Sequence, residues 1–242
     1  MASFLLIHGA WHGGWCFDRL RAALAGKGHV AAAPTLPGMG GTADELAAVT
    51  LEGWADFVIA QARTLAPPVV LVGHSRAGIV ISTAAEREPG AFAGLVYLAA
   101  FLLPSGVTMI EARDGMPRND AFETGLSRAA RGAALALSRE AAIAAFYQDC
   151  PAEDQLAAAA RIVPEPVQPL NTPLALSEAR FGSLPRHYVE CTLDEAIPIA
   201  QQRMMHARLP CASVTTLESG HSPFLGMPDE LAVVLHTIAE RI

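Results

Sequence analysis

The 242-residue sequence contains little charge, because only 17% of its residues are charged whereas 52% are hydrophobic. This balance excludes a disordered chain and fits one α/β domain, residues 1–242, whose sheet is buried on both faces. The net charge is −7 and the basic residues form no local patch. We therefore expect no nucleic acid partner, since a phosphate backbone is bound by clustered cations.

Cysteine is scarce, and its four positions, 16, 150, 191 and 211, form no Cys-x-x-Cys pair. This spacing argues against a zinc site or a dense disulfide framework, and it predicts reduced, mostly buried thiols. His8 and His12 lie four apart, but in a Gly-rich loop rather than on a helix, so we expect no metal site.

Long apolar runs are absent from the first residues, where the segment 4–7 follows no basic region. This segment is too short for a signal-peptide core or a membrane span, so we expect a cytoplasmic protein with no membrane association. The sequence shows no internal repeat at a fixed period, which excludes a repeat architecture.

Short apolar segments alternate with stretches of helical spacing, as in a parallel sheet with helical crossovers. The predicted strands are 4–7, 30–33, 69–72, 95–98, 187–191 and 214–217. Between the fourth and fifth strands the alternation lapses into Ala-rich helical stretches, followed by a Pro-rich run at 164–169. We therefore predict a sheet of about six mostly parallel strands with an inserted helical cap over residues 104–184.

A serine stands where strand 69–72 meets a predicted helix at 76–88, in the order Gly73-His-Ser75-Arg-Ala77. A sharp turn in this setting lifts a serine hydroxyl above the carboxyl edge of the sheet. The usual motif has glycine in the fifth position, where this chain has Ala77. We predict that Ser75 is a nucleophile; the alternative is a glycine-rich turn without catalysis.

A serine hydroxyl needs a histidine to take its proton and a carboxylate to orient that histidine. His221 lies in a loop after the last predicted strand, and Asp194 follows the strand 187–191. Ser, acid and His then occur in the chain order of this architecture. Glu195 is the competing acid, and the remaining downstream histidines, His206 and His236, fall inside predicted helices.

Two backbone N–H groups should stabilise the negative charge that develops on oxygen during acyl transfer. The predicted donors of this oxyanion hole are Arg76, which follows the nucleophile, and Ala10 in the first loop. For the Arg76 side chain two interpretations stay open: recognition of a substrate carboxylate, or pairing with a structural acid.

Five motifs are spread along nearly the whole chain: HGAWHGGW at 8–15, PTLPG at 34–38, GHS at 73–75, ARFGS at 179–183 and CTLDEAIP at 191–198. They resemble those of the methylesterase and hydroxynitrile lyase family of α/β-hydrolases. The resemblance implies a cofactor-free hydrolase with a helical cap, and bacterial members resemble esterases that act on bulky esters such as pyrethroids. The departures are Arg76-Ala77, where plant members usually have Leu-Gly, and Ser222-Pro223 after the histidine.

Two rival functions share this scaffold. Hydroxynitrile lyases typically add a Thr or Asn in the first loop and often a Lys after the histidine, whereas this chain has Gly9 and Ser222 there. Without that cation a departing cyanide loses electrostatic support, so hydrolysis is favoured. A non-catalytic ligand-binding protein is the second rival, since a scaffold does not determine activity.

The predicted partner is a small, largely apolar carboxylic ester, cleaved by a serine esterase. We expect four aromatic residues, Trp11, Phe101, Phe122 and Phe146, to contact it. The cap also contributes apolar side chains at Met109, Met116, Leu126, Leu135 and Ile143. Part of this surface should face the ligand, unless the cap uses it in its own packing. The sequence leaves the oligomeric state open, with a homodimer as one option.

Overall fold

The computed structural model describes residues 1–115 and 119–242. Its strands are β1 (Ser3–Ile7), β2 (Val30–Ala32), β3 (Val69–His74), β4 (Gly94–Leu98), β5 (Leu126–Ala129), β6 (Ala134–Leu137), β7 (Glu165–Pro166), β8 (Arg186–Cys191) and β9 (Ser213–Leu217). Its α-helices are α1 (Asp18–Gly26), α2 (Ala43–Ala47), α3 (Leu51–Ala62), α4 (Ala77–Arg87), α5 (Met109–Asp114), α6 (Asp120–Gly125), α7 (Arg139–Phe146), α8 (Ala152–Ala159), α9 (Ile199–Arg208), α10 (Pro223–Gly226) and α11 (Pro228–Ala239).

The main sheet has six strands in the order β2-β1-β3-β4-β8-β9, and every neighbouring pair is parallel. All residues of β1, β3 and β4 are buried. Strands covered on both faces are apolar throughout rather than alternating, which is the pattern that the sequence shows. The predicted six-stranded parallel sheet is therefore confirmed.

One hydrophobic core lies on each face of this sheet. Trp54 of α3 and Ile81 of α4 belong to the first core, whereas Leu20 of α1 and Leu235 of α11 belong to the second. Each of these side chains is almost fully buried. Burial of one such side chain contributes roughly 1.5–3 kcal/mol, so the two layers of helices hold the sheet rigid beneath its carboxyl edge.

The segment between β4 and β8 carries α5 to α8 and also a three-stranded antiparallel sheet, β5-β6-β7. The prediction of an inserted helical cap did not include this small sheet. These strands have four, four and two residues. Such short strands show no clear period, and β6 has the sequence ALAL, in which alanine disfavours a strand. Met116, one of the apolar residues expected in the cap, lies outside the described residues.

The cysteines are free, and Cys16, Cys150 and Cys191 are buried while Cys211 is half-buried, as predicted. Within residues 1–115 and 119–242, no helix has the length and apolar character needed to cross a membrane.

Candidate active site

Ser75 occupies a sharp turn between β3 and α4, with a φ of +55°. A residue other than glycine pays about 1–3 kcal/mol for such a backbone, so the surroundings must impose it. The Ser75 N–H donates to the Leu98 carbonyl at 3.2 Å, and its carbonyl accepts from Gly78 and Phe101 at 3.1 Å each. These bonds hold the serine at the carboxyl edge of the sheet.

The departure from the usual motif at Ala77 is explained by where the backbones come closest. A Cβ atom on Gly78 would lie 2.2 Å from the Phe101 carbonyl oxygen. The position that has no room for a side chain is therefore Gly78, whereas Ala77 fits as a fully buried residue.

His221 and Asp194 form a buried pair, with 2.7 Å between His221 Nδ1 and Asp194 Oδ2. Because a carboxylate only accepts, Nδ1 carries a proton, and in the corresponding neutral tautomer Nε2 is the acceptor. The competing acid, Glu195, is exposed. The structure thus brings Asp194, and not its neighbour, to the histidine.

Asp194 accepts three further hydrogen bonds that fix its carboxylate. The N–H groups of Ala196 and Ile197 both donate to Oδ1 at 2.8 Å, and Gln202 Nε2 donates to Oδ2 at 3.1 Å. Sequence reasoning missed Gln202, a fully buried polar residue in α9. Gln202 and the buried Met205 are three residues apart, so both lie on the inward face of α9. A polar residue in that position indicates a buried polar role.

His74 links the serine turn to the histidine loop. Its Nε2 donates to the His221 carbonyl at 2.8 Å, and the two rings lie 4.5 Å apart. Burial lowers the pKa of His74 well below its usual value, so the ring stays neutral. The Gly220 N–H donates to Asp149, which anchors the same loop from the inserted segment.

The two predicted oxyanion donors lie beside Ser75. Ala10 borders the same cavity as Ser75, and a Cβ on Gly9 would lie 3.0 Å from the Ser75 Cβ. Within the described residues, neither the Ala10 N–H nor the Arg76 N–H donates a hydrogen bond. The Ser75 hydroxyl likewise has no hydrogen-bond partner in that part of the chain. Ala10 and Ser75 thus border one cavity, with the Ala10 N–H and the Ser75 hydroxyl both free, and the free Arg76 N–H belongs to the peptide that follows Ser75.

The Arg76 side chain pairs with a structural acid, which is one of the two interpretations left open by the sequence. Its Nε lies 2.8 Å from Glu165 Oε1, and both side chains are completely buried. Its Nη2 donates to the Gly9 carbonyl at 3.1 Å, and the guanidinium lies 4.2 Å from the centre of the Trp54 ring. Glu165 gave no signal in the sequence, because it lies in the Pro-rich run far from the elbow.

Ser75 borders a largely apolar cavity of about 40 Å³. Its walls include all four aromatic residues expected to contact the substrate, Trp11, Phe101, Phe122 and Phe146. Met109 and Leu135 of the inserted segment line it too, whereas Leu126 and Ile143 do not line it and pack against the hydrophobic cluster that contains Trp11 and Phe146. The cap's apolar residues thus divide between the cavity and its own packing.

One charged side chain that the sequence analysis did not single out, Arg113, also lines the cavity. It pairs with Glu123 and lies 5.2 Å from the centre of the Phe122 ring.

The other histidines take structural roles. His12 Nδ1 donates to the Ala10 carbonyl at 2.7 Å, and the Tyr147 hydroxyl donates to His12 Nε2 at 2.7 Å. His206 lies 3.0 Å from the Glu190 carboxylate, and His236 hydrogen-bonds His29. Within the part of the chain that the structure describes, no three His, Cys, Asp or Glu residues come together as a metal site.

Comparison with known proteins places the chain in one family over nearly its whole length. The sequence profile described as "Alpha/beta hydrolase family" matches residues 4–234. The chain is 31% identical to a pyrethroid hydrolase of Sphingobium wenxiniae, over 99% of this chain and 88% of that protein. It is 29% identical to Methylesterase 7 of Arabidopsis thaliana, over 98% of this chain and 96% of that protein.

A solved structure shows the same likeness in three dimensions. The crystal structure of a pyrethroid hydrolase from Sphingobium faniae superposes with a TM-score of 0.86 at 30% identity, covering 99% of this chain and 97% of that one.

Proposed function

The chain belongs to the α/β-hydrolase family, and from this premise we propose that it is a serine carboxylesterase for small to medium, largely apolar esters. The observation that carries the proposal is the buried His221–Asp194 pair, at 2.7 Å, on the same sheet edge as the strained Ser75 turn. The named relatives, a pyrethroid hydrolase and a methylesterase, support ester hydrolysis as the class of reaction.

The proposed reaction has two halves. The Ser75 hydroxyl attacks the ester carbonyl while His221 Nε2 takes its proton, and Asp194 stabilises the imidazolium. The Ala10 and Arg76 N–H groups donate to the oxyanion of the tetrahedral intermediate. His221 then returns the proton to the leaving alcohol, which leaves an acyl group on Ser75. A water activated by His221 hydrolyses that acyl-enzyme and releases the acid.

We propose that residues 104–184 act as a cap whose aromatic side chains bind the substrate. The cavity of about 40 Å³ has room for a few water molecules, whereas sites for drug-sized ligands have roughly 300–1,000 Å³. Binding of an aryl ester therefore requires side chains of the cavity wall to move aside. Each methylene buried against this wall contributes roughly 0.8 kcal/mol, which favours apolar esters.

An ester panel tests this proposal. We expect kcat/KM for p-nitrophenyl butyrate to exceed that for p-nitrophenyl acetate, which has the same leaving group, by about tenfold, since about two extra buried methylenes contribute roughly 1.6 kcal/mol. Amino-acid esters should be poor substrates, because no unpaired carboxylate lines the cavity within the described residues. Equal kcat/KM across the panel would contradict the substrate class. No hydrolysis of any ester would instead favour a ligand-binding protein.

We also propose a cytoplasmic location, a small-molecule ester as the sole substrate partner and no requirement for a cofactor. The four free cysteines support a reducing compartment. Hydrolysis that is unchanged by EDTA is the expected result, and inactivation reversed by zinc would contradict it.

A further inference from the structure

The peptide between Gly9 and Ala10 is fixed through its carbonyl. The Gly9 oxygen accepts from Arg76 Nη2 at 3.1 Å and from His8 Nδ1 at 2.9 Å. In a trans peptide the carbonyl and the N–H point in opposite directions. Fixing the Gly9 carbonyl therefore directs the Ala10 N–H away from the Arg76 side chain.

The Ala10–Trp11 peptide and the peptide after it are hydrogen-bonded by residues of the inserted segment. The Trp11 N–H donates to Glu165 Oε2 at 3.1 Å, and the Trp11 carbonyl accepts from the Val163 N–H at 2.9 Å. The indole Nε1 donates to the Leu135 carbonyl at 2.9 Å. Trp11 has a φ of +61°, a strained conformation for a residue with a side chain, and these bonds hold it there.

Arg76 thus binds the Gly9–Ala10 peptide, Glu165 binds the Ala10–Trp11 peptide, and the two side chains contact each other. Burial raises the pKa of Glu165 and lowers the pKa of Arg76, and in both cases the attraction of the partner opposes the shift. Burial of two opposite charges usually costs about as much free energy as their mutual attraction contributes. Replacement of such a pair by apolar residues is often neutral or stabilising. Stability alone does not account for this pair.

We propose that the buried Arg76–Glu165 pair positions the oxyanion hole. This inference rests on the proposed esterase function. Arg76 then acts twice, since its N–H is one oxyanion donor while its side chain orients the peptide that carries the other. Glu165 comes from β7 of the inserted segment. The hole is therefore complete only when that segment is seated against the serine turn.

The double variant Arg76→Met/Glu165→Leu tests the proposal, because it removes both buried charges and keeps apolar volume. We expect a folded protein whose kcat for p-nitrophenyl butyrate falls about 100-fold, the usual cost of losing one oxyanion donor. KM should stay within about threefold. Affinity for a trifluoromethyl ketone, which forms an oxyanion adduct with a reactive serine, should fall in parallel with kcat, as expected for a transition-state interaction.

The matched control is Arg19→Met/Asp154→Asn. Arg19 and Asp154 form another arginine–carboxylate pair between the core and the inserted segment, at 2.6 Å, and within the described residues no hydrogen bond or ion pair joins either of them to residues 8–13. We expect its kcat to remain within twofold of wild type. A loss in the control equal to that in the double variant would contradict a role specific to the oxyanion hole.

Arg76→Lys keeps the positive charge, and it tests the positioning of the oxyanion hole if the double variant fails to fold. A single ammonium cannot reproduce the planar fork that spans Glu165 and the Gly9 carbonyl. We expect kcat to fall about tenfold with KM unchanged. A kcat within twofold of wild type in whichever variant folds would overturn the proposal. A wild-type protein that hydrolyses no ester would instead refute the proposed function, and this inference with it.

Discussion

Asp194 and Glu195 are neighbours in sequence but differ in every property that a triad acid needs. Asp194 is buried, bonded to His221 and held by Gln202, whereas Glu195 is exposed. A carboxylate that receives this many donors keeps one orientation, so the imidazole it accepts from is held in one tautomer.

Asp194→Asn should therefore lower kcat by about 10⁴-fold, because an amide can hold the histidine in the wrong tautomer. Glu195→Gln is the matched control, and its kcat should stay within twofold of wild type. The measurement is kcat for p-nitrophenyl butyrate in both variants. A larger loss of kcat in Glu195→Gln than in Asp194→Asn would show that Glu195 is the acid.

The residues placed at strand ends were predictable, and those that hold them in place were not. Ser75 and His221 stand in turns within four residues of the ends of predicted strands, and parallel strands bring their carboxyl ends to one edge. Glu165 holds Trp11 through a contact between residues that are 154 positions apart, and no local pattern encodes such a contact. Gln202 lies only eight residues after Asp194, but its spacing indicates burial and not which group it binds.

At the scale of elements, α4 packs closely against the segment after β4, and this contact leaves no room for a side chain at Gly78. Gly78→Ala would bring a Cβ to 2.2 Å from the Phe101 carbonyl oxygen, so α4 must shift. We expect destabilisation of about 1–3 kcal/mol, together with a lower kcat, since Ser75 sits at the start of this helix.

Gly90→Ala is the control for that change. Gly90 lies in the turn after α4, and a Cβ there meets no atom within 4 Å. Urea denaturation of both variants gives the free energy of unfolding. Equal stability of Gly78→Ala and wild type would show that the helix is free to move away from Phe101.

The inserted segment shows where prediction from sequence is weakest. The main strands were recognised because each is an apolar run with a turn at its end. In contrast, β6 pairs with both β5 and the two-residue β7, and the pairing with β7 joins residues about 30 positions apart. Contacts between such distant short segments determine a small sheet that local propensity does not reveal.

For the whole molecule, buried neutral histidines predict instability in mild acid. Burial lowers the pKa of His12 to about 4 from its ordinary 6.5, and it lowers those of His8 and His74 well below that value. The unfolded chain then binds more protons than the folded protein below about pH 6.5, so stability falls as pH falls.

His12 alone should cost about 3 kcal/mol of stability between pH 6.5 and pH 4, at 1.36 kcal/mol for each pKa unit. Urea denaturation at pH 7.5, 6 and 5 measures the loss before most carboxylates titrate. In His12→Gln the loss across this range should be smaller than in wild type. A free energy of unfolding that is equal at pH 7.5 and pH 5 would contradict the prediction.

The class of the molecule was predictable because its motifs are spread over the chain. The α/β-hydrolase fold and a carboxylic ester hydrolase were both predicted from sequence, and the family match over residues 4–234 together with the esterase relatives confirms them. The particular ester was not predictable, because the cavity is built from side chains of distant segments such as Trp11, Phe122 and Leu170.

The most direct test of the central claim is p-nitrophenyl butyrate hydrolysis by wild type and by Ser75→Ala, with circular dichroism and the melting temperature confirming that both are folded. The substitution removes one hydroxyl oxygen, so the fold should persist. We predict measurable turnover in wild type and a kcat at least about 10⁴-fold lower in the variant. A folded Ser75→Ala protein with kcat near that of wild type would contradict the account.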